Sequence, residues 1–260
     1  MERPTHSARL VTKLLLSEPA QCFHLEFAIE DLERFDFAPG QFVSLVSPDA
    51  NGKMQTRAYS IASAPRGNQF DLCVNRVEGG FFSNLLCDLA PGDAVRFHGP
   101  HGLFLLREPL TDAVMIATGT GIAPMRGFVE YLFPDNAPDR AEGREISLVY
   151  GTRHPTELYY GDYFARVAAE HPSFRYITTL SRADDSWQGP RGYVQEHVQG
   201  IVCVHPSYVP NAAAAPTAEA PASFSIHAYI CGLNNMVSAN RECLKALGWQ
   251  RKQIIFERYD

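Results

Sequence analysis

The chain has 260 residues and a mass of 28.9 kDa, long for one core and short for three, so two domains of roughly 100–150 residues are expected. Hydrophobic residues make up 45% and charged residues 20%, a composition that excludes a disordered chain. The net charge of 23 − 29 = −6 argues against nucleic acid or an anionic membrane as the main partner.

The first hundred residues read as short strands. Val11–Leu16, Cys22–Ile29, Gln41–Val46, Arg57–Ala62, Phe70–Val77 and Ala94–His98 are β-prone runs separated by Pro39-Gly40, Asn51-Gly52, Pro65-Arg66-Gly67 and Pro91-Gly92-Asp93. Such spacing predicts an antiparallel barrel or sandwich. After Pro109 the pattern changes to strands at Ala113–Ala117, Glu145–Tyr150, Phe174–Leu180 and Ala228–Cys231, alternating with helices at Met125–Leu132, Tyr163–Glu170 and Met236–Leu247. That alternation predicts a parallel α/β sheet, with the boundary near Arg107–Thr111 and domains of residues 1–108 and 109–260. The segment Pro206–Ser223 fits neither pattern; with seven Ala and four Pro it reads as an exposed loop.

Six cysteines, at 22, 73, 87, 203, 231 and 243, form no Cys-x-x-Cys or Cys-x4-Cys pair, so neither zinc nor an iron–sulfur cluster is expected on this chain. The only apolar run near the start is Leu14-Leu15-Leu16, and no stretch approaches about 18 apolar residues, so the expected setting is the reducing cytoplasm with free thiols.

The run Thr118-Gly119-Thr120-Gly121-Ile122-Ala123-Pro124 follows an apolar strand and precedes a helix. Glycines let backbone approach a pyrophosphate, and a helix start offers unpaired N–H groups with about half a positive charge. Pro124 suits the first helical turn. The dinucleotide fingerprint would have Gly at Pro124 and an acidic residue after the next strand, which instead runs into Gly151-Thr152-Arg153, so a plain tight turn explains the run equally well. Ser181-Arg182 ends the following strand, and Arg191 and Tyr193 come soon after. A hydroxyl and two guanidinium groups at a carboxyl sheet edge suit a phosphate monoester, which points to the 2′-phosphate of NADP; Asp184 and Asp185 would oppose it if they faced the site.

In the first half, alternation puts Arg57 and Tyr59 on one strand face and Ala58 and Ser60 on the other. Gly79-Gly80-Phe81-Phe82-Ser83-Asn84 precedes Leu85-Leu86, so Ser83 is expected to open a helix whose N-terminus meets another phosphate. Cys231-Gly232 ends the last predicted strand. By themselves a lone thiol reads as buried filler and the closing Phe256-Glu257-Arg258-Tyr259-Asp260 as a frayed, charged end.

Taken in order, these residues resemble the ferredoxin–NADP reductase family over nearly the whole chain. Arg57, Tyr59 and Ser60 match the flavin motif Arg-x-Tyr-Ser, and Gly80 with Ser83 match Gly-x-x-Ser. The nicotinamide-domain motifs match Gly119 to Pro124, Ser181-Arg182 with Arg191 and Tyr193, and Cys231-Gly232, while Glu257-Arg258-Tyr259 looks like the family's Glu-x-aromatic ending. The resemblance implies an FAD-binding barrel followed by an NADP-binding α/β domain. It implies that Arg57 and the 80–83 turn, with Ala58, Phe81 and Phe82, hold the flavin nucleotide, that Tyr59 stacks on the isoalloxazine, and that Ser60 bonds near its N5. Thr118, Gly119, Thr120, Gly121 and Pro124 would cradle the NADP pyrophosphate, and Ser181, Arg182, Arg191 and Tyr193 the adenosine 2′-phosphate end. Ser60, Cys231, Glu257 and Tyr259 are then the expected catalytic residues, Cys231 and Gly232 facing the nicotinamide and Tyr259 covering the other flavin face.

The implied activity is hydride transfer between NADP(H) and FAD with single-electron exchange to a small acidic carrier, a ferredoxin or flavodoxin, by a monomer. Arg34, Lys53, Arg66 and Arg76 are the basic candidates for its docking. Two other readings are the reductase component of an oxygenase or a free-flavin reductase, and a non-catalytic flavin-binding subunit of a complex. Two departures from the family stand out: Asp260 follows the terminal aromatic, and the 206–223 loop is long.

Overall fold

The computed structural model describes residues 4–203 and 226–259, so Asp260 and the Ala/Pro segment 206–223 lie outside the described residues. The chain divides into two compact units, Met1–Leu106 with Ile122–Arg140 and Arg107–Gly121 with Ala141–Asp260.

In the first unit, β1 (His6–Ser17), β2 (Cys22–Ile29), β3 (Phe42–Pro48), β4 (Met54–Ser60), β5 (Gln69–Asn75) and β6 (Ala94–His101) form one sheet in the order β4-β3-β6-β1-β2-β5. Every pairing is antiparallel. A bridge between Ile61 and Leu72, with the Ala62 N–H donating to Asp71 O at 2.8 Å, links the two outermost strands and closes the sheet. The closure removes the exposed edges that an open sheet presents to other chains. Inside, Phe27, Phe35, Phe70 and Phe97 pack with ring centroids 5.1 to 5.9 Å apart among aliphatic side chains. Helix α1 (Phe81–Asp88) lies between β5 and β6 in the chain.

The helix after the glycine run, α2 (Ile122–Leu132), groups with this first unit by its contacts. Its polar side chains explain the placement. Arg126 donates to Ala62 O and to Asp71 Oδ2 (3.0 Å), and Glu130 Oε2 accepts from the Ala64 N–H at 3.0 Å. Asp71 is 0% exposed; Arg66 pairs with its other oxygen, and His24 lies 3.6 Å from Oδ2. Burial, its largest influence, pushes the His24 pKa down from 6.5. His24, Glu26 and Asp71 place metal-ligand atoms within 4.8 Å of one another, but guanidinium groups already hold both Asp71 oxygens, which makes the cluster an ion-pair network.

The second unit is a parallel sheet of β7 (Asp112–Thr118), β8 (Ile146–Thr152), β9 (Phe174–Leu180), β10 (Ile226–Leu233) and β11 (Ile254–Tyr259), ordered β11-β10-β7-β8-β9. Helices α3 (Gly161–Glu170), α4 (Val194–Cys203) and α5 (Asn234–Ala246) accompany it. Helix α4 has no counterpart among the predicted elements, although Val194, Val198 and Val202 recur every four residues and are buried. Residues 254–259 are not frayed. They form the edge strand β11 because Ile254 and Ile255 bury against the sheet while Phe256 and Arg258 remain exposed. Among the described residues no helix is long and apolar enough to cross a membrane.

Candidate nucleotide-binding sites

In the first unit, β4 carries Arg57 and Ala58 exposed, Tyr59 half-buried against the barrel core and Ser60 buried. Burial pushes the Tyr59 pKa up to about 12, so its ring carries a neutral phenol at physiological pH. Helix α1 starts at Phe81 with Gly80 as its cap, so Ser83 does not open the helix as expected. Ser83 Oγ instead accepts from the Val77 N–H (3.2 Å) and donates to Gly80 O (3.4 Å), and Arg76 donates to Asn84 Oδ1 (2.8 Å). Those bonds tie the turn ahead of the helix, while no side chain caps its first N–H groups. Phe81 is exposed and Phe82 buried, with their rings edge to face at 4.9 Å. An uncapped helix start leaves N–H donors available to an anion.

Of the four basic residues expected to attract a carrier, three are already paired: Arg34 with Asp36 (2.5 Å), Arg66 with Asp71 and Glu130, and Arg76 with Asp88 (2.6 Å). Each carboxylate cancels the positive field its partner would project, so the expected basic surface is reduced to exposed Lys53.

In the second unit, β7 delivers Thr118 to a short 3-10 turn, Gly119–Gly121. Thr118 Oγ1 is buried and has no hydrogen-bond partner, a cost that a ligand oxygen would remove. Gly121 lies against the end of β10: a Cβ there would fall 2.2 Å from Cys231 O, inside any van der Waals contact. We expect Gly121→Ala to destabilise the protein by about 1–3 kcal/mol through overpacking, measured by urea unfolding; an unchanged midpoint would contradict the tight approach. Farther along, Pro124 lies in the first turn of α2, as expected for a residue without an N–H.

Parallel pairing of β10 with β11 sets Cys231 opposite Glu257 and Leu233 opposite Tyr259. Cys231 Sγ is 4.0 Å from Glu257 Oε2. Burial, then the Glu257 charge, push the Cys231 thiol well above the usual range, and a hydrogen bond with the Tyr259 side chain opposes them. The thiol is therefore protonated at neutral pH, an uncharged contact surface that is poorly suited to act as a nucleophile.

At the other end of the sheet, the Ser181 N–H donates to Thr152 O and the Arg182 N–H to Arg153 O, each at 3.0 Å. Arg182 is exposed, and Tyr193 is 62% exposed ahead of α4. Arg191 differs from expectation in what it binds: its guanidinium donates to the carbonyls of Ala183 (3.0 Å), Asp184 (2.7 Å) and Trp187 (2.9 Å) and so closes the 182–190 loop. The Asp184 carboxylate accepts from the Ser186 N–H (2.9 Å) and hydroxyl within its own loop. One further cation, not singled out from sequence, stands at the same sheet edge. Arg153 follows β8 as Arg182 follows β9, and the rule that singled out Arg182, a guanidinium just past a parallel strand, applies to it as well.

One family model, described as an oxidoreductase FAD-binding domain, matches residues 7–105, and another, an oxidoreductase NAD-binding domain, matches residues 115–242. Barrel, parallel sheet and these two family models together define a flavin- and nicotinamide-nucleotide oxidoreductase. Ferredoxin–NADP reductase B of Sorangium cellulosum is 40% identical over 254 residues, covering 95% of this chain and 96% of that protein, and the chain belongs to the ferredoxin–NADP reductase family. The reductase component of phenol 2-monooxygenase from Pseudomonas sp. is 36% identical over 165 residues, 62% of this chain and 44% of that protein. In fold, the chain matches a solved ferredoxin NADP+ reductase from Neisseria gonorrhoeae with a TM-score of 0.76 at 21% identity, over 99% of both chains.

Proposed function

We propose that the chain takes hydride from NADPH onto FAD and passes electrons singly to a small acidic ferredoxin or flavodoxin in the cytoplasm, as a monomer. The observation that carries this reading is the register of β10 with β11, which sets Cys231 opposite Glu257, with the 118–121 turn packed against the Cys231 carbonyl. FAD, when bound, supplies a two-electron acceptor that can be emptied one electron at a time.

The chain's own residues do the rest. Arg57 and the α1 start, with Gly80, Phe81, Phe82 and Ser83 shaping the turn, hold the flavin diphosphate, while Ala58, Tyr59 and Ser60 form the surface against the isoalloxazine. Thr118, Gly119, Thr120 and Gly121, continuing to Pro124, hold the NADPH pyrophosphate. Ser181, Arg182, Arg153 and Tyr193 take the adenosine 2′-phosphate end, with Arg191 shaping the loop that carries them. Cys231 and Gly232 offer an uncharged surface for the nicotinamide, Glu257 holds or releases a proton beside it, and Tyr259 covers the flavin. Ser60, Cys231, Glu257 and Tyr259 are the catalytic set.

The test is spectroscopic and kinetic. We expect the purified protein to take up FAD with a visible flavin spectrum that bleaches faster with NADPH than with NADH; a colourless protein that does not take up FAD would overturn the reading. A second reading, a reductase component of an oxygenase, is supported by the 36% identity to such a protein, and assays with ferredoxin and flavodoxin against an oxygenase component separate the two.

A further inference from the structure

Tyr150 on β8 is 0% exposed, yet its hydroxyl is in use. It lies 3.0 Å from Gly119 O, in the turn after β7, and 3.2 Å from Glu157 O, in the 3-10 turn Pro155–Glu157 after β8. A phenol has one proton to donate, so the two carbonyls share it. A buried tyrosine ring needs some partner for its hydroxyl, but this one joins the two loops that the proposed function assigns to the dinucleotide. The second loop is itself tied down: Glu157 Oε2 accepts from the Arg153 N–H (3.1 Å), and Thr152 Oγ1 donates to His154 O (3.0 Å).

The consequence follows from peptide geometry. A trans peptide is planar, and its C=O and N–H point in opposite directions. Gly119 has φ of +53°, a left-handed conformation that glycine adopts without penalty, and its carbonyl turns toward Tyr150. The next N–H, that of Thr120, therefore points away from Tyr150. We propose that Tyr150 is a positioning residue for NADPH: by holding the Gly119 carbonyl, its hydroxyl aims the Thr120 N–H outward at the dinucleotide pyrophosphate. Without the hydroxyl the Gly119–Thr120 peptide can rotate, since glycine resists little, and the donor is lost to the ligand for part of the time. This rests on the reading of the 118–121 turn as a pyrophosphate cradle.

Tyr150→Phe removes only the hydroxyl. Calorimetry on the FAD-loaded protein with NADP+, which has the pyrophosphate, and with 2′-AMP, which lacks it, separates local aim from general damage. We expect the variant to bind NADP+ about 3–10-fold more weakly, the worth of one ordinary hydrogen bond, with 2′-AMP affinity changed less than about twofold. Equal NADP+ affinity in both proteins, or an equal loss for both ligands, would overturn the proposal. Wild-type protein that binds neither ligand would instead sink the NADP reading of the site. A second measurement is independent of the variant's folding: in 15N-labelled wild-type protein the Thr120 amide resonance should move on adding NADP+ and stay in place with 2′-AMP. A resonance unmoved by NADP+, or moved as far by 2′-AMP, counts against the role.

Discussion

Arg182→Ala should raise the KM for NADPH at least about tenfold while leaving the KM for NADH within about twofold, because a charge-assisted bond to a phosphate is worth about 1.5–3 kcal/mol and NADH has no 2′-phosphate to lose. Arg182 is suited to this role by what surrounds it. Its backbone is held to Arg153 at the end of the neighbouring strand, while Arg191, the other guanidinium expected here, gives three bonds to carbonyls of its own loop. On the proposed reading discrimination falls on Arg182 with Arg153, and Arg191→Ala should act chiefly by loosening the 182–190 loop. Steady-state kinetics with both nucleotides provide the check, and an Arg182→Ala enzyme with wild-type preference would remove the 2′-phosphate from the assignment.

The other large effect is on stability. Asp71→Ala should lower the unfolding free energy by about 3–5 kcal/mol, since it strips the shared carboxylate from Arg66 and Arg126 and leaves partly buried guanidinium groups without it. For a chain of this size that corresponds to a melting temperature about 10 °C lower. Asp71→Asn keeps the shape and loses the charge, so a comparable loss in both variants assigns the effect to the ion pairs. A change under about 1 kcal/mol in thermal or urea unfolding would show that the network is replaceable. The same contacts hold α2 to the barrel, so its loss should be felt by the helix that follows the glycine run.

Much of this was legible in one dimension. Alternating apolar residues, turn dipeptides and the switch to a strand-helix rhythm after Pro109 encode two sheets of different kinds, because the period of side-chain exposure is a local property of the backbone. The glycine run and Ser181-Arg182 were legible for a related reason: each stands directly after a strand, and parallel strands deliver their C-terminal residues, Cys231-Gly232 near the end of β10 among them, to one edge.

Other features depended on pairing between distant segments. Ile254 to Tyr259 is short, charged and terminal, and only the hydrogen bonds to β10 make it a strand that brings Glu257 to Cys231. The burial of Asp71, the tethering of Arg191 and the capture of three of the four expected docking cations by carboxylates likewise arise from partners that meet on folding. The hydroxyl of Tyr150 is the sharpest case. In sequence it is one more aromatic in an apolar strand; in the fold it reaches the loop of the preceding strand, 31 residues back. Apart from α4 and β11, local sequence thus determined the type of the main elements and the residues available at their ends, because those follow from backbone period and turn chemistry. Which of those residues keep their charge and donors for a ligand was decided by tertiary structure, because a donor already held by protein acceptors is less available to a ligand, and those acceptors are chosen by the fold.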